Sequence, residues 1–172
     1  MGKKSWIIKI TLVSIITSMV FTLVSTEVLA GAGYIAAFAV LIFFVALGVV
    51  FDVIGVAVTA AILAPFHSMA AHHERGATEA ISLIKNADKV SSVCNDIVGD
   101  ISGIVSGSMA ALVAARIAIG SSTNVLIMQL IISGAVTGLM IGGKAFGKNF
   151  AINNTNKIIL RIGKLLSLFK KS

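Results

Sequence analysis

The chain has 172 residues, of which 57% are hydrophobic and only 12% are charged, whereas a typical soluble domain has about 25% charged residues. This composition excludes an ordinary soluble protein and predicts an all-α membrane protein. A formal charge of +7 would suggest nucleic acid as a partner of a soluble protein, but here the basic residues flank apolar runs, as in membrane topology signals, so no nucleic-acid partner is expected.

Four apolar segments are long enough to cross a bilayer, which takes about 20 residues. They are predicted at about 6–25, 34–64, 90–117 and 123–143. We predict one transmembrane domain over residues 1–172, with cytoplasmic surface helices at about 66–88, divided near Gly76, and an amphipathic juxtamembrane tail at about 149–170. Pro65 is expected to end the second span, because the residue before a proline is disfavoured in helical geometry.

The positions of the basic residues predict the orientation of the chain. Of the 14 Lys and Arg residues, only Arg116 falls near an outer segment, so both termini are expected in the cytoplasm, with the chain crossing the cell membrane several times. The basic tail is expected to lie along anionic lipid of the inner leaflet. Small residues in Val28–Ala30 would also suit a signal peptidase, but the first apolar run exceeds the about 7 to 15 residues of a signal core, which favours an uncleaved anchor.

Two carboxylates in apolar surroundings are the first candidates for function, since such groups are costly in a membrane. Counted from Pro65 and from Lys89, Asp52 and Asp100 lie about 20 and 16 Å along their helices, at a rise of about 1.5 Å per residue. At comparable depth they are expected to form a midplane site for a cation or a shared proton.

Further oxygen donors lie on the approach to these carboxylates. Asn95 and Asp96 are predicted to extend the site as a vestibule, with Ser102 as an additional donor. Mg²⁺ suits such a site because it prefers hard oxygen ligands and keeps several of its waters. Two other interpretations stay open: Asp100 pairs with Lys89 or Lys144 while Asp52 bonds a hydroxyl group across a helix seam, or the carboxylates form a regulatory proton site.

Glycine ridges predict where helices approach closely. The third span carries small residues four apart at Gly99, Gly103, Gly107, Ala111 and Ala115, and the fourth carries Gly134, Gly138 and Gly142. Such small-residue ridges allow close backbone approach in membranes. The two ridges are expected to pack together, and glycine seams are also expected to join two copies of the chain in a homodimer.

Other chemistries receive little support from the sequence. The single Cys94 forms no intrachain disulfide, and His67, His72 and His73 lack a second pair of metal ligands, so a polar surface is the better interpretation of the histidines. No nucleophile or phosphate-binding motif is found, so neither an enzyme nor a bound cofactor is expected.

From Asp52 to about Leu166 the order of features resembles the transmembrane module of the CorC and cyclin M (CNNM) magnesium and cobalt transport family. The segments that carry the resemblance are 69–84, the small-residue stretch NADKVSSVCNDIVGDISGIVSG, and Gly143–Lys148 followed by a basic helix. Lys144 stands where the family has a glutamate, Gly147 where it has a proline, and Val58 near a family acidic position. The CBS domains that usually follow the module in the family are absent from these 172 residues.

The resemblance implies transport or homeostasis of a divalent cation, magnesium or cobalt. With the carboxylates, it predicts a metal site of Asp52, Asp96, Asp100 and Asn95, which would bind Mg²⁺ as the transported ion. The expected partners are membrane lipids, the cation and a second copy of the chain. An alternative from another class is a non-transporting adaptor or regulatory scaffold that holds a partner protein or anionic lipid. A holin-like pore is disfavoured because it would not need the long segment from Phe66 to Lys89.

Overall fold

The computed structural model describes residues 3–31 and 33–169, without the side chains of 3–4 and 28–30. In chain order the helices are α1 (Lys3–Gly31), α2 (Tyr34–Ala60), α3 (Leu63–Ala71), α4 (Ala77–Lys85), α5 (Ala87–Ser91), a π-helical segment (Ser92–Gly99), α6 (Asp100–Ser121), α7 (Val125–Asn153) and α8 (Thr155–Phe169). The side chains of the possible signal-peptidase site at 28–30 are therefore not described, and the basic residues Lys170 and Lys171 lie outside the described residues.

The described part of the chain is helical and contains no strand, which confirms the predicted all-α fold. Four helical stretches are long and apolar enough to cross a membrane: Ser5–Glu27, Tyr34–Ala60, Ala87–Ser121 and Val125–Asn153. Helices suit such sequences because they satisfy every backbone polar group internally, where lipid offers no hydrogen bonds. The fold is that of a multi-pass membrane protein.

Two boundaries differ from the sequence-based expectation. The second span ends at Ala60, and Pro65 lies in the first turn of α3, where a proline is tolerated because the first backbone N–H groups of a helix have no intrahelical partner. The fourth span does not end at Gly143 but continues as α7 to Asn153, so the surface helix α8 begins only at Thr155. Gly76, with φ of 85°, separates α3 from α4 as expected.

The predicted contact between the two glycine ridges is wrong. A Cβ added at Gly107, Gly134, Gly138 or Gly142 would meet nothing within 4 Å. The face of α7 that packs against α2 instead contains Gly143 and Gly147, whose added Cβ atoms would lie 2.9 and 2.6 Å from Val49 and Val53. Because α7 is apolar around most of its circumference, its periodicity does not determine which glycine ridge turns inward.

The buried side chains form two separate cores. The first, here called the span core, packs α2, the π-helical segment, α6 and α7; it contains Ala37, Leu41, Phe44, Ile97, Ile101, Val105, Met109, Ala110, Val113 and Val136. The second, here called the end core, joins the last part of α2 to the short helices and α7; it contains Ala57, Val58, Phe66, Ala80, Ala151 and Ile159. Along α2, Asp52 lies between Phe44 of the span core and Ala57 of the end core.

The end core depends on a close crossing of α4 and α8. Gly76 and Gly163 are in contact there: a Cβ on Gly163 would collide with the Gly76 carbonyl oxygen and approach the Ala80 backbone nitrogen to 3.1 Å. Lys164 Nζ adds an ion pair with Glu74 Oε1 at 3.2 Å, and Arg75 Nε donates to Ser167 Oγ at 3.3 Å. The turn before α4 is therefore held on α8.

Candidate functional site

The candidate site is built on the π-helical segment Ser92–Gly99, which continues directly into α6. Two of the predicted site residues, Asn95 and Asp96, lie inside this segment, and Asp100 follows it. A π-helix widens the turn and reorients its side chains, and such segments occur frequently at functional sites. The hydrophobic pattern does not distinguish a π-helical turn from an α-helical one, so this segment could not be predicted from the sequence.

This segment faces α2 across a seam of small residues. A Cβ on Gly55 would collide with Asn95 Oδ1, and a Cβ on Gly48 would lie 3.3 Å from the Gly99 carbonyl oxygen and from Ser102 Cβ. Gly48, Asp52 and Gly55 share one face of α2, since they are four and three residues apart. The glycines let the backbones approach closely enough for the polar side chains of the π-helical segment to reach α2.

Two buried oxygens at this seam have no hydrogen-bond partner among the described residues. They are Asn95 Oδ1 and Ser102 Oγ, and Ser102 as a whole is fully buried. Leaving a buried polar group unpaired costs about 1 to 3 kcal/mol. Since native structures rarely accept this cost without compensation, such oxygens indicate a place for water or an ion.

Lys144 lies between the two carboxylates. Its Nζ is 3.4 Å from Asp100 Oδ1 and 4.0 Å from Asp52 Oδ1, although the three residues come from three different helices. The Asp52 side chain is 18% exposed, whereas that of Asp100 is 67% exposed. The structure thus brings the two predicted carboxylates to one ammonium group, which already occupies a cation position between them.

The long helices also indicate the depth of this cluster. Asp52 is about 27 Å from the start of α2 at Tyr34, and Lys144 is about 28 Å from the start of α7 at Val125, at about 1.5 Å per residue. Both distances are close to the thickness of about 30 Å of the hydrocarbon layer. The cluster therefore lies nearer to the ends of α2 and α7 that adjoin α3 and α8 than to their opposite ends.

Asp96 does not join the cluster. Its side chain is exposed, and it makes no hydrogen bond or ion pair with any described residue. Within residues 3–31 and 33–169, moreover, no group of three or more His, Cys, Asp and Glu side chains lies close enough to hold a metal ion. Any metal at the seam would therefore need amide and hydroxyl oxygens in addition to the carboxylates of Asp52 and Asp100.

The sequence interpretation missed the partners that shape the site. Gly48 and Gly55 are not distinctive in an apolar helix, yet they leave the space in which Ser102 and Asn95 lie against α2. Their spacing around Asp52 was the available signal, because three such residues on one face of a helix mark a close approach. In the sequence, Lys144 is indicated only by the family resemblance and as one partner of Asp100.

Comparisons with protein-family models, with curated proteins and with solved structures found no match.

Proposed function

We propose that this chain is a CorC-like protein for the transport or homeostasis of a divalent cation, magnesium or cobalt, with a cation site at the seam between α2 and the π-helical segment. The observation that carries the proposal is the pair of buried, unpartnered oxygens, Asn95 Oδ1 and Ser102 Oγ, on either side of the level of Asp52. Because Gly48 and Gly55 are about 10 Å apart along α2, one Mg²⁺ ion would reach these hard oxygens and Asp52 partly through the waters that it retains. Their position supports entry from the side of the surface helices.

Lys144 acts in this proposal as a tethered competitor for the transported ion. Its ammonium group pairs with Asp52 and Asp100 at 4.0 and 3.4 Å, and two unit charges about 4 Å apart interact by about 1 kcal/mol even in water. A divalent cation that displaces this group would pair with the two carboxylates in turn. Asp100, which is the more exposed carboxylate, would then receive the ion first and pass it towards Asp52.

The proposed orientation follows from the positions of the charges. With the exception of Arg116, the Lys and Arg residues within 3–31 and 33–169 lie at the end of the bundle that carries α3, α4 and α8 or in the adjoining parts of the spans. The positive-inside rule then assigns that end, and both termini, to the cytoplasm. The cell membrane is the proposed location.

A homodimer is proposed through the outward face of α7. Gly134 and Gly138 are exposed, and Gln129, Ser133 and Thr137 line the same shallow groove. None of these three polar side chains makes a hydrogen bond to another described residue. A second copy of α7 would fill the glycine groove and offer the same polar groups in a symmetric arrangement.

The adaptor remains a second candidate, and one observation favours it. Both carboxylates already have a cationic partner in Lys144, so a purely structural role needs no ion. In that case the charged cluster would fix the mutual rotation of α2, α6 and α7, while α4 and α8 would hold a partner protein or anionic lipid.

Magnesium flux into proteoliposomes separates the two candidates. Asp52→Asn is expected to lower the flux at least about tenfold, in the range typical for loss of a group that supports a metal site. Asp88→Asn is the matched control, because Asp88 is an exposed carboxylate on α5 outside the seam. Lys144→Gln is expected to bind Mg²⁺ at least about fivefold more tightly, since the competing charge is gone.

The outcomes are distinct. Flux by the wild type no greater than in empty liposomes would contradict transport and leave the adaptor. Flux that is unchanged in both Asp52→Asn and Asp100→Asn would retain transport but remove this site. Weaker Mg²⁺ binding in Lys144→Gln would contradict competition by the lysine.

A further inference from the structure

A groove with three cations around it lies between the turn that precedes α4 and the helix α8. Its lining consists of Arg75, Arg161, Lys164, Leu165 and Leu168, and its wall is almost entirely apolar. On α8 the four lining residues fall on one exposed face, since they are three, four and seven residues apart. The groove therefore has an apolar floor surrounded by positive charge. The turn before α4 contributes Arg75, and α8 contributes the other lining residues.

The groove is preformed by contacts in the end core. The close approach of Gly76 and Gly163 fixes the turn against α8, and the bond from Arg75 Nε to Ser167 Oγ holds the guanidinium group over the helix. Lys164 is partly neutralised by Glu74 at 3.2 Å. Arg161, by contrast, is exposed and has no hydrogen-bond or ion-pair partner among the described residues. One guanidinium group is thus left to bind an external anion.

The apolar side chains point to the nature of the ligand. Leu165 and Leu168 are 58% and 56% exposed beside these cations. A helix face in contact with water usually carries polar residues at such positions. A surface helix with this pattern buries its leucines at the boundary between headgroups and acyl chains. A free phosphate would satisfy only the cations, whereas an amphiphile with an anionic head would satisfy both parts of the groove.

We infer that this groove is a binding site for one anionic phospholipid, whose phosphate group pairs with Arg161 beside Arg75 and whose acyl chain covers Leu165 and Leu168. The inference rests on the proposed position of α8 at the bilayer surface, and it does not require cation transport. It goes beyond a general attraction of the basic tail to lipid, because it assigns unequal roles to cations on the same helix.

Lys157 provides the matched control for this difference. It lies on the same face of α8, one turn before Arg161, and is exposed, but it does not line the groove. In a diffuse electrostatic attraction the two residues would contribute equally, since each basic residue near an anionic surface makes a similar contribution. In a built site, Arg161 would dominate.

The test uses the full-length protein in neutral detergent, titrated with phosphatidylglycerol, with phosphatidylcholine and with inorganic phosphate, and counts bound lipid by native mass spectrometry. The wild type is expected to retain phosphatidylglycerol in preference to phosphatidylcholine. Arg161→Gln is expected to weaken that binding at least about fivefold, and Lys157→Gln less than about twofold. Circular dichroism verifies that both variants remain folded, which is expected because neither side chain is buried.

Three results would overturn the inference. If Arg161→Gln and Lys157→Gln weaken phosphatidylglycerol binding equally, the binding is a diffuse electrostatic attraction and not a defined site. Displacement of the lipid by inorganic phosphate at similar concentration would make it an anion site without a lipid component. If phosphatidylcholine is retained equally well, the groove does not select an anionic headgroup and the inference is wrong. The proposed cation site at Asp52 does not depend on this result.

Discussion

The span core and the end core reach burial by different means. In the most apolar 18-residue stretch of α1 no residue is buried inside the protein, whereas 56% are buried in that of Ala87–Ser121. The helices around the span core therefore leave large apolar faces that the described protein does not cover. The end core packs short helices and the turn before α4 against one another, and the ion pair between Glu74 and Lys164 lies on its surface. Its own six side chains are buried by protein alone.

The two cores should tolerate substitutions to different degrees. Around the span core, a residue on the lipid side has no protein neighbour to disturb, as the open space at Gly107 illustrates. In the end core, backbone meets backbone at Gly76 and Gly163, and neither helix can withdraw without exposing Phe66 or Ile159. Three substitutions of decreasing expected effect test this comparison.

Gly163→Val should have the largest effect. Its side chain would collide with the Gly76 carbonyl oxygen, so α4 and α8 must separate. Overpacking of this kind costs about 1 to 3 kcal/mol and more where backbone blocks the way, and we expect at least about 3 kcal/mol. Unfolding of the purified protein in detergent measures the loss. Gly107→Val is the control, and comparable destabilisation by both variants would contradict the special role of the crossing.

Gly55→Ala tests the seam between the two cores. The new methyl group would displace Asn95 Oδ1, which is buried without a partner, so we expect a free energy of unfolding lower by about 2 kcal/mol than in Gly107→Ala. A Gly→Ala change in a helix gains about 1 kcal/mol of stability from helix propensity. This gain is common to both variants, so it cancels in the comparison. Equal stability of the two variants would mean that Asn95 moves aside freely.

Trp6→Leu should have the smallest effect. Lys89 Nζ lies 5.6 Å from the centre of the Trp6 ring, which connects the beginning of α1 to α5 near the end core. A cation–π contact at an exposed site contributes about 0.5 to 1 kcal/mol, and a leucine keeps much of the apolar surface. The same unfolding assay should show a loss within that range. A loss as large as that of Gly163→Val would show that α1 depends on this contact far more than its exposure suggests.

Part of the candidate site was predictable and part was not. Asp52, Asn95 and Asp100 stand out in the sequence because polar groups in apolar helices are costly, and all three lie at or beside one polar seam. Asp96 has the same chemistry, but it is exposed and apart from the cluster. Its exclusion follows from the rotation of the π-helical segment, which composition does not reveal.

The four candidate spans, the all-α fold and the charged end of the bundle can all be predicted from the amino-acid sequence. These features follow from the length of apolar runs and from the positions of Lys and Arg, which the bilayer thickness and its interfaces select directly. The helix faces that pack against each other are defined only in the tertiary structure. Lys144 between Asp52 and Asp100, Asn95 against Gly55, and the outward position of Gly134 all depend on helix rotation. Helices that are apolar on nearly every side carry no periodic signal for that rotation, so only the contacts between helices distant in the chain determine it.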